Sequence, residues 1–184
     1  FKAKGRPSDN PLIVHISDIE QIDELVKEVP EKAKVLMEKF WPGPLTLLFE
    51  KSDKVPLKTS GGLNTVAIRM PDNEIALELI KQSNLPIAAP SANTSGRPSP
   101  TSANHVKEDL DGKIDMIIDG GNTGVGLEST VLDISTDVPT ILRPGAITIE
   151  DLKSIFSRVE YDKALETENK NIIPKSPGQK YRHY

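Results

Sequence analysis

Residues 85–99 carry the small polar side chains that a site for phosphate and sugar oxygens needs. They read Leu-Pro-Ile-Ala-Ala-Pro-Ser-Ala-Asn-Thr-Ser-Gly-Arg-Pro-Ser. The apolar run at 87–89 has the length of a buried strand, and Pro90 ends it. The loop that follows offers hydroxyl, amide and backbone N–H groups at a strand end, where open α/β sheets bind ligands. A Ser/Pro-rich surface turn is the more common explanation of such a segment, so the hypothesis of a ligand loop depends on residues elsewhere.

Polar or cationic side chains stand beside a Gly or Pro at several other predicted strand ends. They are Lys4, Arg6, Asn10, His15, Thr65, Arg69, Glu128, Ser129, Thr130 and Arg143. If these strand ends converge, the cations neutralise charge and the small residues allow the backbone to come close to a ligand. The combination predicts a polyphosphate site.

Each of these residues also has a plainer explanation. Lys4 and Arg6 fit a solvated basic tail equally well, and His15 in an apolar run is more often a satisfied histidine of the core or its rim. Arg69 needs an anionic partner, because a buried guanidinium is costly to leave unpaired. A structural Asp or Glu would serve that purpose as well as a ligand.

Several chemistries are excluded or disfavoured. Gly120-Gly121 and Gly124 to Gly126 are not followed by Lys-Ser/Thr, so they form no Walker loop and are better explained as turn glycines. We find no Ser-His-Asp arrangement and no cluster of metal ligands. Catalysis would therefore depend on positioning and charge stabilisation, with no protein-held metal.

Composition narrows the class of protein further. The chain has 184 residues, enough for one well-filled domain. A net charge of −4 and 4% aromatic residues disfavour nucleic-acid binding as the sole role. The absence of cysteine excludes disulfides and thiolate zinc sites, and it fits a cytoplasmic protein. No apolar run reaches the roughly 18 residues of a membrane span, so we expect no membrane partner.

The hydrophobic pattern predicts an α/β fold with short strands in mixed directions, because some connections are too short for parallel crossovers. Predicted strands cover residues 12–16, 45–50, 65–70, 87–89, 114–118, 130–134 and 140–142. Predicted helices cover 17–30, 31–40, 74–82, 101–110 and 148–156, with Ser17, Asp72 and Thr148 as caps of the first, third and last. The expected buried faces are Val35, Leu36 and Phe40 on the second helix and Ile75, Leu79 and Ile80 on the third.

Seven blocks of this sequence resemble, in the same order, those of the YrdC/TsaC family of L-threonylcarbamoyl-AMP synthases. They are Lys-Gly-Arg-Pro at 4–7, Asn-Pro-Leu-Ile-Val-His at 10–15, Phe-Trp-Pro-Gly-Pro-Leu-Thr at 40–46, Val-Ala-Ile-Arg-Met-Pro at 66–71, Ala-Pro-Ser-Ala-Asn-Thr-Ser-Gly at 89–96, Glu-Ser-Thr-Val at 128–131 and Leu-Arg-Pro-Gly at 142–145. The likeness is greatest to the longer two-domain members.

The resemblance implies a YrdC-like twisted mixed sheet flanked by helices, with a large concave cavity. It also implies that L-threonine, bicarbonate and ATP, with Mg2+ carried on the ATP, form threonylcarbamoyl-AMP and pyrophosphate for threonylcarbamoyladenosine modification of tRNA. Expected partners are tRNA or duplex RNA and downstream threonylcarbamoyl transferase proteins. Matching positions imply ATP contacts from Lys4, Arg6, Asn10, Thr65, Ser91, Ser99, Arg143 and Tyr184. They imply threonine contacts from His15, Arg69, the Ala89 backbone and Ser129.

The same resemblance divides the chain into a catalytic domain at 1–160 and a linker at 161–184 that leads, in the longer members, to a C-terminal domain. A Thr-rich strand and turn ending in Tyr-Gly-Leu is expected before Phe1.

Two other functions fit less well. A carbamoyl-adenylate-forming, HypF-like domain normally accompanies zinc-finger and acylphosphatase modules, which a cysteine-free chain of this length lacks. A non-catalytic RNA-binding module is disfavoured by the acidic net charge and the few aromatic residues.

Overall fold

A single mixed sheet forms the centre of the protein. A computed structural model gives the fold of residues 1–124, 126–165 and 175–176. The strands in these ranges are β1 (Ile13–His15), β2 (Leu45–Glu50), β3 (Thr65–Arg69), β4 (Ile87–Ala89), β5 (Thr130–Asp133), β6 (Thr140–Arg143) and β7 (Glu160–Tyr161). Their order across the sheet is β4-β1-β3-β2-β5-β6-β7. The pairs β1–β3, β2–β5 and β6–β7 are parallel, and β1–β4, β2–β3 and β5–β6 are antiparallel. The predicted mixed α/β sheet is confirmed.

A side chain caps three of the four α-helices in the described part of the chain and satisfies a free N–H group of the first turn. The four are α1 (Glu31–Phe40), α2 (Glu74–Ser83), α3 (Ala103–Leu110) and α4 (Ile149–Lys153), with short 3-10 helices at Ile19–Glu24 and Lys163–Leu165. Ser102 caps α3, and Thr148 caps α4 as predicted, in a capping box with Asp151. Asn73 caps α2, so the prediction of Asp72 was wrong by one residue.

Alternate strand residues point to opposite faces of the sheet and divide the core in two. Val14, Leu47 and Ile68 belong to the larger cluster, which also contains α1, α4 and 3-10 residues. Their neighbours Ile13, Leu48, Ala67, Val131 and Leu142 form a smaller cluster on the other face. The larger cluster fixes the sheet on its helices, and the smaller one leaves room beside it for a cavity.

The first predicted helix is replaced by the 3-10 helix Ile19–Glu24. Asp18, not Ser17, caps it, and Gln21 completes the capping box. The helix cannot continue to Pro30 because Val26 forms an antiparallel bridge with Lys51.

Two predicted helix faces were rotated relative to the real ones. In α1 the buried residues are Ala33, Leu36 and Met37, whereas Val35 is 45% exposed. The buried set follows the i, i+3, i+4 spacing of one helix face, which Val35 does not. In α2, Ile80 is buried, but Ile75 and Leu79 are exposed because no described element covers that side.

Two predicted strands differ from the structure. Residues 114–118 form no strand, since no described strand lies beside them to complete a ladder, and Met116 is 75% exposed. The strand at 87–89 exists but is an edge strand that pairs only with β1 among the described strands, so it is not buried as expected.

The predicted boundary at residue 160 falls within β7. This strand pairs with β6, and the 3-10 helix Lys163–Leu165 follows it. Most of the predicted linker, including Tyr184, lies outside the described residues. No helix in the described part of the chain has the length and apolar character needed to cross a bilayer.

Candidate functional site

A cavity of about 680 Å³ opens on the sheet face that carries the smaller core cluster. This volume is within the usual range of small-molecule sites. The lining includes most of the residues that the sequence singled out, namely Arg6, His15, Arg69, Ala89, Ser91, Ser99, Ser129 and Arg143. Residues from distant parts of the chain therefore converge as predicted.

His15 and Arg69 are neighbours because β1 and β3 are parallel and pair these two positions directly. His15 Nδ1 lies 3.3 Å from the Ile87 carbonyl oxygen of β4. Burial, and then the positive charge of Arg69, lowers the pKa of His15 to about 4. The imidazole is therefore neutral at physiological pH.

The Arg69 guanidinium is oriented by the turn that follows α1. Its Nε donates to the Gly43 carbonyl oxygen at 3.0 Å, and Gly43 N donates to the Met70 carbonyl oxygen at 2.9 Å. A Cβ on Gly43 would lie 2.3 Å from the Phe40 carbonyl oxygen, so this turn needs glycine. Burial and the charge of Arg143 lower the Arg69 pKa. Among the described residues, no carboxylate forms an ion pair with Arg69.

Arg143 lies at the end of β6 and contacts the segment that leads into β5. Its Nε and Nη2 donate to the Ser129 carbonyl oxygen at 3.1 and 2.9 Å, and Nη2 also donates to Ser129 Oγ at 2.9 Å. Its Nη1 forms an ion pair with Glu128 at 3.0 Å. Ser99 Oγ donates to the other Glu128 oxygen at 3.1 Å. A polar network thus connects β5, β6 and the 91–99 loop.

Lys4 holds the 91–99 loop through hydrogen bonds to its backbone. Its ammonium group donates to the carbonyl oxygens of Ser91, at 2.5 Å, and of Asn93, and its own carbonyl oxygen accepts from Ser95 N at 2.9 Å. Burial, and then the charge of Arg6, lowers the Lys4 pKa to about 8. Lys4 is itself buried and does not line the cavity.

Asp109 of α3 holds the other side of the same loop. It accepts a hydrogen bond from Thr94 N at 2.8 Å and forms an ion pair with Arg97. The hydrogen bond from Thr94 N, followed by that from Arg97, lowers the Asp109 pKa. The loop is therefore held at five positions, 91, 93, 94, 95 and 97.

Arg6 is buried, and its side chain is held by the turn in front of β1. Its Nε donates to the Asn10 carbonyl oxygen at 3.3 Å and its Nη2 to that of Pro11 at 2.6 Å. Burial, and then the charge of Arg143, lowers the Arg6 pKa to about 10. Arg6 and Arg69 therefore each lie within electrostatic range of Arg143.

Three predicted site residues lie outside the cavity lining: Lys4, Asn10 and Thr65. Asn10 is buried, with its Oδ1 unpaired. Thr65 begins β3, about 13 Å along the strand from Arg69, and its predicted ATP contact stays a prediction. A fourth, Tyr184, lies outside the described residues.

Sequence reasoning did not assign a role to Glu128 or Asp109. The sequence did offer one indication for Glu128: it is an acidic residue among residues predicted to bind phosphate, which is also negatively charged. Asp109 had no such signal, because its partners are 12 and 15 residues away and become neighbours only through the fold. Among the described residues, no group of three or more His, Asp or Glu side chains could hold a metal.

The family model Sua5_yciO_yrdC, described as "Telomere recombination", matches residues 1–145. The threonylcarbamoyl-AMP synthase of Bacillus subtilis is 57% identical over 100% of this chain and 53% of its own length. That of Pyrococcus abyssi is 54% identical over 100% of this chain and 54% of its own. The chain thus spans about half the length of the curated relatives that it matches.

The crystal structure of P. abyssi Sua5 complexed with L-threonine superimposes with a TM-score of 0.96, at 54% identity, over 100% of this chain and 54% of that one. The agreement covers the whole sheet and the segments that line the cavity. From the family model, the identities and this superposition, the chain belongs to the Sua5/YciO/YrdC family.

Proposed function

We propose that this protein is an L-threonylcarbamoyl-AMP synthase, a nucleotidyltransferase that joins L-threonine, bicarbonate and ATP and releases pyrophosphate. The observation that carries the proposal is the convergence of Arg6, Arg69 and Arg143 with serine hydroxyls in one cavity. Relatives of that name at 57% and 54% identity support it. The adenylate is then passed, in the cytoplasm, to threonylcarbamoyl transferase proteins that modify tRNA.

The nucleotide end of the cavity is assigned to Arg6, Ser91, Ser99 and Arg143. Two buried cations and two hydroxyls provide charge and hydrogen bonds for a triphosphate without blocking its approach. Lys4 contributes by fixing the loop that carries Ser91. Direct ATP contacts from Lys4, Asn10, Thr65 and Tyr184 remain predictions from the family resemblance.

The amino-acid end is assigned to His15, Arg69, Ala89 and Ser129. A threonine carboxylate would give Arg69 the counter-charge that no described carboxylate provides in an ion pair. His15 beside it is neutral, because its pKa is lowered to about 4, and so it does not repel the threonine amine. The Ala89 backbone and the Ser129 hydroxyl complete the polar surface around the amino acid.

The chemistry requires no covalent intermediate with the protein. The threonine amine forms a carbamate with CO2, releasing a proton, or with bicarbonate, releasing water. A carbamate oxygen then attacks the α-phosphorus of ATP. The bond from that phosphorus to the β-phosphate oxygen breaks, and pyrophosphate leaves with its electron pair. Arg6 and Arg143 offset the developing charge, while Mg2+ enters with ATP as part of the substrate.

Pyrophosphate release from ATP tests the proposal directly. Release is expected only when L-threonine and bicarbonate are both present, and L-serine is expected to replace threonine less well. Release that is indifferent to both would refute the proposal. Release with carbamoyl phosphate in the absence of threonine would favour the HypF-like alternative. Binding of tRNA that collapses steeply with salt, without any adenylate formation, would favour the RNA-binding alternative.

A further inference from the structure

Glu128 is an acidic side chain among the groups that we assign to the nucleotide phosphates. Its carboxylate forms the ion pair with Arg143 at 3.0 Å and accepts the Ser99 hydrogen bond at 3.1 Å. It lines the cavity and is 18% exposed, so a ligand can reach it. Its charge also opposes the lowering of the Lys4 and Arg6 pKa values, which places it within electrostatic range of both. One carboxylate therefore acts on all four groups.

The two direct contacts cannot be shared fully with a phosphate. Ser99 has one hydroxyl hydrogen and donates it to one strong acceptor at a time. Arg143 directs Nε and Nη2 to Ser129 and Nη1 to Glu128. A phosphate oxygen that took the Ser99 hydrogen would leave one Glu128 oxygen without its donor. A phosphate that approached Nη1 of Arg143 would lie beside the Glu128 carboxylate, and like charges at this range repel.

Resting on the proposed function, we propose that Glu128 competes with the polyphosphate for Arg143 and Ser99 and thereby limits how tightly the site holds pyrophosphate. A cavity with Arg6, Arg69 and Arg143 and no opposing charge would hold the leaving group strongly, and product release would then limit turnover. The Glu128 carboxylate reclaims its two donors as pyrophosphate departs. Glu128 thus favours release of the product pyrophosphate.

The backbone around Glu128 is fixed, so the side chain alone can exchange partners. The Glu128 carbonyl oxygen accepts from Ala146 N at 3.3 Å, and a Cβ on Gly145 would lie 2.4 Å from that oxygen. A change from carboxylate to amide keeps the shape of the side chain and removes its charge. Glu128→Gln therefore tests the charge without displacing this turn.

Calorimetric titration with pyrophosphate in EDTA tests the inference. Glu128→Gln is expected to bind pyrophosphate about tenfold more tightly than the wild type, since binding no longer displaces a charge-assisted pair. The control is Glu38→Gln, which makes the same charge change at an exposed position of α1 outside the cavity lining and is expected to leave the affinity unchanged. In a second titration with magnesium pyrophosphate, Glu128→Gln is again expected to bind more tightly than the wild type and Glu38→Gln.

Unchanged or weaker binding by Glu128→Gln, with the wild type still binding pyrophosphate, overturns this inference and leaves the proposed function intact. Weaker binding only in the magnesium titration also overturns it, because Glu128 would then be a ligand of the ion. If no form of the protein binds pyrophosphate, the inference fails, whereas the proposed function is decided separately by pyrophosphate release that depends on threonine and bicarbonate.

Discussion

At the scale of single residues, His15 lines the cavity and also makes the stability of the folded protein depend on pH. Its pKa is lowered from 6.5 to about 4, so below pH 6.5 the unfolded chain binds a proton that the folded protein does not. Stability is therefore complete above pH 6.5 and falls as the pH drops towards 4, by at most about 3 kcal/mol from this group. The positive charge of Arg69 on the neighbouring strand disfavours protonation of His15. The hydrogen bond to the Ile87 carbonyl oxygen favours protonation but only partly offsets this effect.

Urea unfolding of the wild type, His15→Gln and His105→Gln at pH 7.5 and 4.5 measures this contribution. His15→Gln is expected to lose about 2 kcal/mol less on acidification than the wild type. His105 is exposed, so its variant is expected to behave as the wild type does. Equal losses in all three proteins would contradict the lowered pKa of His15.

At the scale of elements, the 91–99 loop has hydrogen bonds of its own, from Asn93 and Arg97 N, and its neighbours fix its position. Lys4 binds it from the N-terminal segment, and Asp109 binds it from α3. Asp109→Asn keeps the shape of the side chain but weakens the bonds to Thr94 and Arg97, because a neutral amide accepts less strongly than a carboxylate. The loop carries Ser91 and Ser99, which we assign to the nucleotide. Displacement of the loop is therefore expected to weaken ATP binding more than threonine binding.

Steady-state kinetics with each substrate varied in turn tests this positioning role. Asp109→Asn is expected to raise the KM for ATP about tenfold, the equivalent of one lost charge-assisted hydrogen bond, and to change the KM for threonine less. Asp115→Asn makes the same change at an exposed position and serves as the control. Equal increases in both KM values would indicate a general loss of structure, and the positioning role would be rejected.

The element scale also shows why some predictions succeeded and others did not. The strands at 45–50 and 65–69 follow from short apolar runs, and the sheet supplies a partner strand on each side of both. Residues 114–118 have a similar pattern, but a strand exists only where a neighbour completes its ladder, which the pattern cannot show. Likewise, residue type identified Lys4 as a cation but not its direction: its ammonium group binds the carbonyl oxygens of Ser91 and Asn93, and Lys4 does not line the cavity.

At the scale of the whole molecule, the chain has a net charge of −4 yet gathers Arg6, Arg69 and Arg143 around one cavity. The lowered pKa values of Arg6 and Arg69 show that burial and the charge of Arg143 both oppose their ionisation. A polyanion that enters the cavity relieves this repulsion only in the folded protein, because segments from residue 6 to residue 143 must be assembled to form the site. Binding is therefore expected to stabilise the fold as a whole.

Thermal unfolding with and without pyrophosphate measures that linkage. At one hundred times its dissociation constant, a ligand that binds only the native state adds about 2.7 kcal/mol, which for a chain of this length raises the Tm by about 5–10 °C. Sodium chloride at matched ionic strength is expected to give a much smaller shift, because screening alone leaves the arginines without hydrogen-bonded counter-charges. Equal shifts with both salts would mean that the arginines act as separate surface charges and do not form one anion site.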